Sequence, residues 1–309
     1  MRVITLSCDA MATRFELVLC GEDEARLRAA GEEALEEINR LDAQLSLYLP
    51  DSELSRVNAR AAYGPVLVGL RLFRLLQTAA RIYKLTDGAF DVTIAPLVRC
   101  WGFMNGEGRK PSDEELQAAL DLVGMRRVTL DKENYTVRFK RVGTMIDLGA
   151  IGKGCAVQRA ADLLRELGVT SALVHGGTSS AYAIGSPPDG EDWLVSIRDP
   201  AKPEEILGVA HLRDSSLSVS AVHGKSFSEG RVEFGHVIDP RTGQPTQKAV
   251  LAAIVGPDAA EGDALSTALL VLGEEWLPKL VDKSKGMKGL VAYKTRGKLR
   301  VAKAGFGRA

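Results

Sequence analysis

Cysteine is scarce in this chain and never clustered: Cys8, Cys20, Cys100 and Cys155 lie far apart, with no C-x-x-C pair. That spacing indicates neither a zinc site nor a disulfide framework, and it fits a reducing compartment. An excess of charge is missing too, because 40 basic residues balance 40 acidic ones. A neutral balance argues against nucleic acid as the main partner. No segment approaches the ~20 apolar residues of a membrane span. The apolar run at residues 3–6 falls far short of the roughly 7–15 residues of a signal-peptide core. Thr5-Leu6-Ser7-Cys8 faintly resembles a lipoprotein cleavage site, yet nothing long enough to be recognised precedes it. The expectation is a soluble, cytoplasmic protein without a membrane span. Repeats, low-complexity runs and long linkers are absent as well.

What the chain does have is 309 residues, 45% of them hydrophobic, enough for a substantial core. Residues 14–20 alternate like a strand, and Glu22-Asp23 opens a long amphipathic helix through about Leu45. Further helices fit residues 70–83, a stretch from Pro111-Ser112 to near Gly124, and residues 154–167, 260–272 and 274–280. A hairpin is expected at residues 127–139. Short strands fit residues 171–174, 181–184, 193–197, 208–212, 216–220, 236–238, 249–255, 289–293 and 299–301. Helices mixed with many antiparallel-looking strands suggest one α+β domain over residues 1–309, with a large, mostly antiparallel sheet packed by helices.

Five polar, glycine-marked stretches sit between these elements. In TMIDLGAIGKGCAV (residues 144–157), an apolar run stops at Asp147, a glycine-rich turn carries Lys153, and a helix pattern begins. The spacing is that of neither the nucleotide P-loop nor the G-x-G-x-x-G dinucleotide fingerprint. It leaves a strand–turn–helix with a lysine near a helix N-terminus, where an anion is favoured, or simply a tight turn with a solvated lysine. In TDGAFDVTIAPLVRCWGF (residues 86–103), Asp91 adjoins a β-branched run. Trp101 there offers either a stacking face or a core residue.

VHGGTSSAYAIG (residues 174–185) leaves a strand through paired glycines into three hydroxyl residues, either to meet a ligand closely or as a plain hairpin. In FGHVIDPRTGQPT (residues 234–246), a sharp turn after His236 can fix an imidazole. In EGDALSTALLVLG (residues 261–273), Asp263 and Thr267 are one helical turn apart on one face. Two such oxygens can share a hard cation such as Mg²⁺; the competing reading makes Asp263 an ordinary helix cap.

Together these stretches, in the order MAT, LYLPDSELSRVN, TDGAFDVTIAPLVRCWGF, IDLGAIGKGCAVQ, HGGTSS, GHVIDPRTGQP and GDALSTALLVLG, resemble the FAD:protein FMN transferase (ApbE) family across nearly the whole chain. The resemblance implies an ApbE-like, T-fold-like domain and a Mg²⁺-dependent enzyme. Such an enzyme binds FAD and moves FMN onto a Ser or Thr hydroxyl of an acceptor protein, releasing AMP. Carried over by motif, Met11, Tyr48, Ala89, Phe90, Asp91, Asp147 and Lys153 look like FAD-pocket positions, with Val237 beside them. The Ala150 carbonyl, Asp263 and Thr267 resemble the family's metal positions. In that scheme His236 is the general base and Lys153 adds a second positive charge at the pyrophosphate. FAD hydrolysis to FMN and AMP, or a flavin-binding carrier without turnover, are the alternatives. Two features depart from the family pattern: Thr178 stands where a Gly-Gly-Asp carboxylate is common, and Ser220-Ala221-Val222-His223 replaces a Ser-Gly-x-Tyr stretch. Many relatives are also exported lipoproteins, which this N-terminus does not resemble.

Overall fold

A computed structural model describes residues 1–306 apart from 105, 107, 223–225, 231 and 285. His223, one of the departures noted above, therefore lies outside the described residues. The first half runs β1 (Arg2–Ala10), β2 (Thr13–Gly21), α1 (Glu24–Leu45), α2 (Glu53–Arg60), β3 (Val66–Leu67), α3 (Leu70–Leu85), α4 (Ala95–Cys100), α5 (Asp113–Leu120), β4 (Val128–Asp131) and β5 (Thr136–Phe139). The second runs α6 (Gly152–Glu166), β6 (Ala172–Gly176), β7 (Ser180–Ile184), β8 (Trp193–Asp199), β9 (Lys202–Leu212), β10 (Ser215–Ala221), β11 (Ser226–Glu229), β12 (Val232–Gly235), β13 (Leu251–Gly256), α7 (Ala259–Leu272), α8 (Leu277–Lys283), β14 (Lys288–Thr295) and β15 (Lys298–Ala304).

Among the described residues the main sheet has the order β1-β2-β6-β7-β10-β13-β14-β15, with every neighbouring pair antiparallel. Both of its faces are covered, which explains why β7 and β13 read as continuous apolar runs rather than alternating ones. On one face, α1, α6 and α7 bury Leu17, Ile38, Ala160 and Leu265 in the larger core. On the other, the β8–β9 ribbon sets Ile197, Ala210 and Leu212 against Ala183, Leu217 and Leu290. The expected α+β architecture with a large antiparallel sheet and packed helices is therefore present.

Helix starts follow their capping chemistry. The Asp23 side chain accepts the Arg26 N–H at 3.1 Å to open α1, and Ser112 with Glu115 forms a capping box at α5. Several boundaries differ from the sequence expectation. Helix α5 stops at Leu120, short of Gly124. The N-terminal stretch, given no element in the sequence reading, is strand β1, paired along its length with β2. The short helices α2 and α4 carry too few apolar repeats to stand out by periodicity.

Two expected strands are absent. Ile146 lies in no strand: its backbone N–H and carbonyl bond to the Asn58 side chain at 2.8 and 2.9 Å, so a side-chain amide replaces the strand partner. Past Gly235, where β12 ends, the chain makes only an isolated bridge between Ile238 and Pro245. His236 sits at the entrance to that turn rather than in a strand.

Candidate functional site

A cavity of about 1120 Å³ opens beside the N-termini of α6 and α7, ample for a dinucleotide by the usual scale of ligand pockets. Tyr48, Ala89, Phe90, Asp91, Asp147, Ala150, Lys153, His236, Val237, Asp263 and Thr267 all line it. Segments far apart in sequence thus meet at one surface. Met11 does not line it. With Ala12 it forms the left-handed turn between β1 and β2 (φ 50° and 57°) and packs on the larger core.

The glycine-rich stretch builds one wall. The Asp147 N–H donates to the Val92 carbonyl at 2.7 Å, and its Oδ1 accepts from Gly149 N–H at 2.7 Å. The turn leads directly into α6, whose N-cap residue Ile151 makes no side-chain capping bond. Lys153 reaches back to the Gly149 carbonyl at 3.3 Å. Gly154 has a steric reason to be glycine: a Cβ there would meet the Ala259 carbonyl oxygen at 2.1 Å and Asp263 Cβ at 2.7 Å. Its absence lets α6 and α7 touch, and the Gly154 N–H donates to Asp263 Oδ2 at 2.9 Å. Asp263 is therefore not the cap of its own helix. That position belongs to Asp258, which accepts from Glu261 N–H.

Electrostatics follow from this packing. Burial pushes the Asp263 carboxyl up from its ordinary range, while the Lys153 charge and the Gly154 N–H oppose that rise. Burial, and then the nearby Asp147 charge, raise the Tyr48 phenol, although the ring stays exposed at the cavity rim. Asp263 supplies a carboxylate, Thr267 a hydroxyl one turn on, and Ala150 a backbone carbonyl. This hard, all-oxygen donor set fits Mg²⁺ and does not suit a soft thiophilic ion. Ser180, in the same lining, has a buried Oγ without a hydrogen-bond partner among the described residues, a further oxygen suited to a polar ligand. Among the described residues no cluster of three His, Cys, Asp or Glu side chains forms a ready-made metal cage.

The 86–94 stretch adjoins that wall through the Asp147–Val92 bond and lines the cavity with residues 89–92 and Ile94. Asp87 and Gly88 adopt left-handed conformations (φ 49° and 78°) that end α3, and Ala89 and Phe90 are buried beneath the cavity. Asp91 uses its oxygens internally: Oδ1 accepts from the Thr93 N–H at 2.8 Å and the Thr93 hydroxyl at 2.7 Å, and Oδ2 from Met125 N–H at 3.2 Å. Trp101 is core rather than a stacking platform. It is fully buried, packs in one cluster with Phe103, Phe227 and Phe234, the last as a tilted ring pair 5.4 Å apart, and donates Nε1–H to the Gly243 carbonyl at 2.7 Å. That bond pins the turn below His236, already tightened by Arg241 pairing with Asp239 at 2.7 and 2.8 Å. The Thr246 N–H donates to the Val237 carbonyl at 2.8 Å, so the histidine enters the cavity from a fixed base.

Sequence reasoning missed two contributors. Arg198 and Asp199 of the β8–β9 ribbon reach the cavity wall, and nothing local in that ribbon marks them. Ser220, which opens the stretch noted above as departing from the family pattern, does line the cavity; along β10 Ser216 bonds the Gly256 carbonyl, while Ser218 and Ser220 reach Ala259 and Ser266 of α7. Thr178, likewise singled out, also lines the cavity, exposed.

Comparison with known proteins first defines a class. The chain superposes on a solved structure described as the flavin transferase ApbE from Vibrio cholerae with a TM-score of 0.84 and 27% identity, over 98% of this chain and 97% of that one. An ApbE protein structure from Thermotoga maritima matches at TM-score 0.86 and 28% identity over 94% of both chains. The FAD:protein FMN transferase of Haemophilus influenzae is 31% identical, over 92% of this chain and 84% of its own length. That of Escherichia coli K12 is 29% identical over 94% and 83%. The family model for ApbE matches residues 11–291, and the chain belongs to the ApbE family.

Proposed function

We propose that residues 1–309 act as one catalytic unit that transfers FMN from FAD to a Ser or Thr hydroxyl of an acceptor protein in a Mg²⁺-dependent reaction, releasing AMP. Membership of a family whose curated relatives are named FAD:protein FMN transferase makes the chain a transferase. The observation that carries the finer reading is the meeting of Lys153, His236, Asp263 and Thr267 in one cavity large enough for FAD.

In this reading Tyr48, Ala89, Phe90 and Val237 help hold FAD, and Asp147 orients either the cation's surroundings or a ribose hydroxyl. Asp263, Thr267 and the Ala150 carbonyl would hold Mg²⁺, which when bound neutralises charge developing on the pyrophosphate. Lys153 adds positive charge at the helix N-terminus, where backbone donors already favour an anion. His236 takes the proton from the acceptor hydroxyl as its oxygen attacks the phosphorus of the FMN half. The bond to the AMP oxygen breaks, and AMP leaves with the electron pair. A carboxylate is absent at Thr178, which bears on acceptor choice more than on FAD binding.

The test is AMP release from FAD and Mg²⁺, with and without a candidate acceptor, together with the acceptor's mass. Transfer predicts slow release alone and a sharp rise with acceptor, because a positioned hydroxyl has an effective concentration that free water lacks. The acceptor gains FMN minus water, and its Thr→Ala form gains nothing. Equal release with and without acceptor would indicate hydrolysis, and tight FAD binding without any AMP would indicate a carrier.

A further inference from the structure

Behind Thr267, hydroxyl groups from β10 and α7 form a compact network. Ser220 Oγ lies 2.8 Å from Ser266 Oγ and 3.0 Å from Thr267 Oγ1. Ser266 donates to the Asp263 carbonyl at 2.9 Å, and Thr267 Oγ1 lies 3.3 Å from that same carbonyl. These are four contacts among three hydroxyls, which own three protons. One contact must therefore go without a hydrogen, and the longest, between Thr267 and the Asp263 carbonyl, is the natural one to yield.

The three shorter contacts then run one way: Thr267 donates to Ser220, Ser220 to Ser266, and Ser266 to the Asp263 carbonyl. With its proton turned toward Ser220, Thr267 Oγ1 accepts from none of the three and presents its lone pairs to the cavity it lines. A hydroxyl that ligates a cation needs this arrangement, because its hydrogen must point away from the positive charge and the cation strengthens it as a donor. The relay ends on the backbone carbonyl of Asp263, so one chain of hydroxyls ties the Thr267 side chain to the backbone one turn before it.

We propose that Ser220 is a positioning residue for the cation site, fixing the Thr267 hydroxyl in its ligating orientation as the acceptor of its proton. This rests on the cation reading above and adds to it a residue outside the donor set. Ser220 itself contributes no ligand. Its influence passes through Thr267, the kind of support whose loss weakens metal affinity by about 10–100-fold.

The experiment titrates Mn²⁺ into the FAD-loaded full chain, following free ion by electron paramagnetic resonance, with flavin fluorescence recording FAD binding. Ser220→Ala should weaken Mn²⁺ binding by about 10–100-fold, while FAD binding measured in chelator changes far less. Ser220→Thr, which restores an acceptor hydroxyl, should return affinity to within about 3-fold of the parent. If Ser220→Ala melts early, Ser220→Cys keeps the shape with a much weaker acceptor and should show a loss in the same direction. Asp263→Asn separates the two levels of the idea. Loss of Mn²⁺ binding in Asp263→Asn with none in Ser220→Ala or Ser220→Cys overturns the role of Ser220 alone. Unchanged binding in all of them overturns the cation site and the relay with it. Failure of Ser220→Thr to rescue would assign Ser220 to packing and also overturn the proposal.

Discussion

Two aspartates with nearly the same burial line the cavity, 5% and 3% exposed at Asp91 and Asp263, and their oxygens meet different surroundings. Burial is the first cause that raises both carboxyls above their ordinary range. Asp91 spends both oxygens on Thr93 and Met125, and Thr93 Oγ1 in turn accepts from Gly124 N–H at 2.6 Å. It staples the 86–94 wall to the turn before β4. Asp263 receives the Gly154 N–H on Oδ2 and sits beside a lysine, a hydroxyl and a carbonyl at the junction of two helices. Burial alone therefore does not mark a ligand-binding carboxylate. What separates the two is how the protein's own donors are distributed around the oxygens.

The comparison is tested hardest at Asp263. Asp263→Asn should reduce FMN transfer by more than roughly 10²-fold while fluorescence titration shows FAD still bound, and chelator should do the same to the parent protein. Undiminished turnover in the variant would remove Asp263 from the cation site and leave the two aspartates alike. His236→Ala, on the neighbouring turn, should slow transfer by roughly 10²–10⁴-fold with FAD affinity little changed; parallel losses in both would make the histidine a binding group instead.

Smaller effects concern stability. Gly154→Ala forces a methyl against the Ala259 carbonyl, so denaturant unfolding should show a cost of about 1–3 kcal/mol, typical of overpacking. Mn²⁺ affinity should fall alongside, since Asp263 loses its N–H partner geometry. A variant as stable as the parent would mean that the two helices part without strain. Asp91→Asn turns one carboxylate oxygen into an NH₂ facing N–H or O–H donors, and should cost about 1–3 kcal/mol. That loss should exceed the stability change in Asp263→Asn, and the reverse ranking would undo the contrast.

The smallest effect is on pH dependence. Because burial leaves the folded protein holding the Asp91 proton more tightly than the unfolded chain does, its ionisation opposes folding above the ordinary carboxylate range. This penalty is relieved as pH falls through the raised pKa toward that range. The stability gap between the parent and Asp91→Asn should therefore widen on acidification from neutrality, as read from paired melting curves. A gap that narrows would show that the three hydrogen bonds outweigh desolvation.

Much of this molecule was legible residue by residue. The hairpin strand at residues 136–139 matches β5, α1 begins at its capping aspartate, and the motif-derived positions other than Met11 line one cavity. The failures share a cause. Residues 145–146 and 236–238 have strand composition but lack a neighbouring strand, and the competition was decided by an asparagine amide in one case and a tight turn in the other. Arg198, in a ribbon whose inner residues pack on the far side of the sheet, reaches the cavity through a topology that no local pattern announces.

The sequence by itself determined the periodic elements, the caps, the scarcity of cysteine and the family to which the motifs point, because propensity, capping and spacing are properties of neighbouring residues. Only the tertiary structure decided which aspartate is a staple and which lies beside Lys153 and Thr267, that Gly154 exists to let α6 touch α7, that Trp101 is a pin rather than a platform, and that Ser220 stands behind Thr267. Those outcomes depend on groups brought within about 3 Å of each other from distant parts of the chain, and hydrogen-bond satisfaction at that range is invisible until the chain has folded.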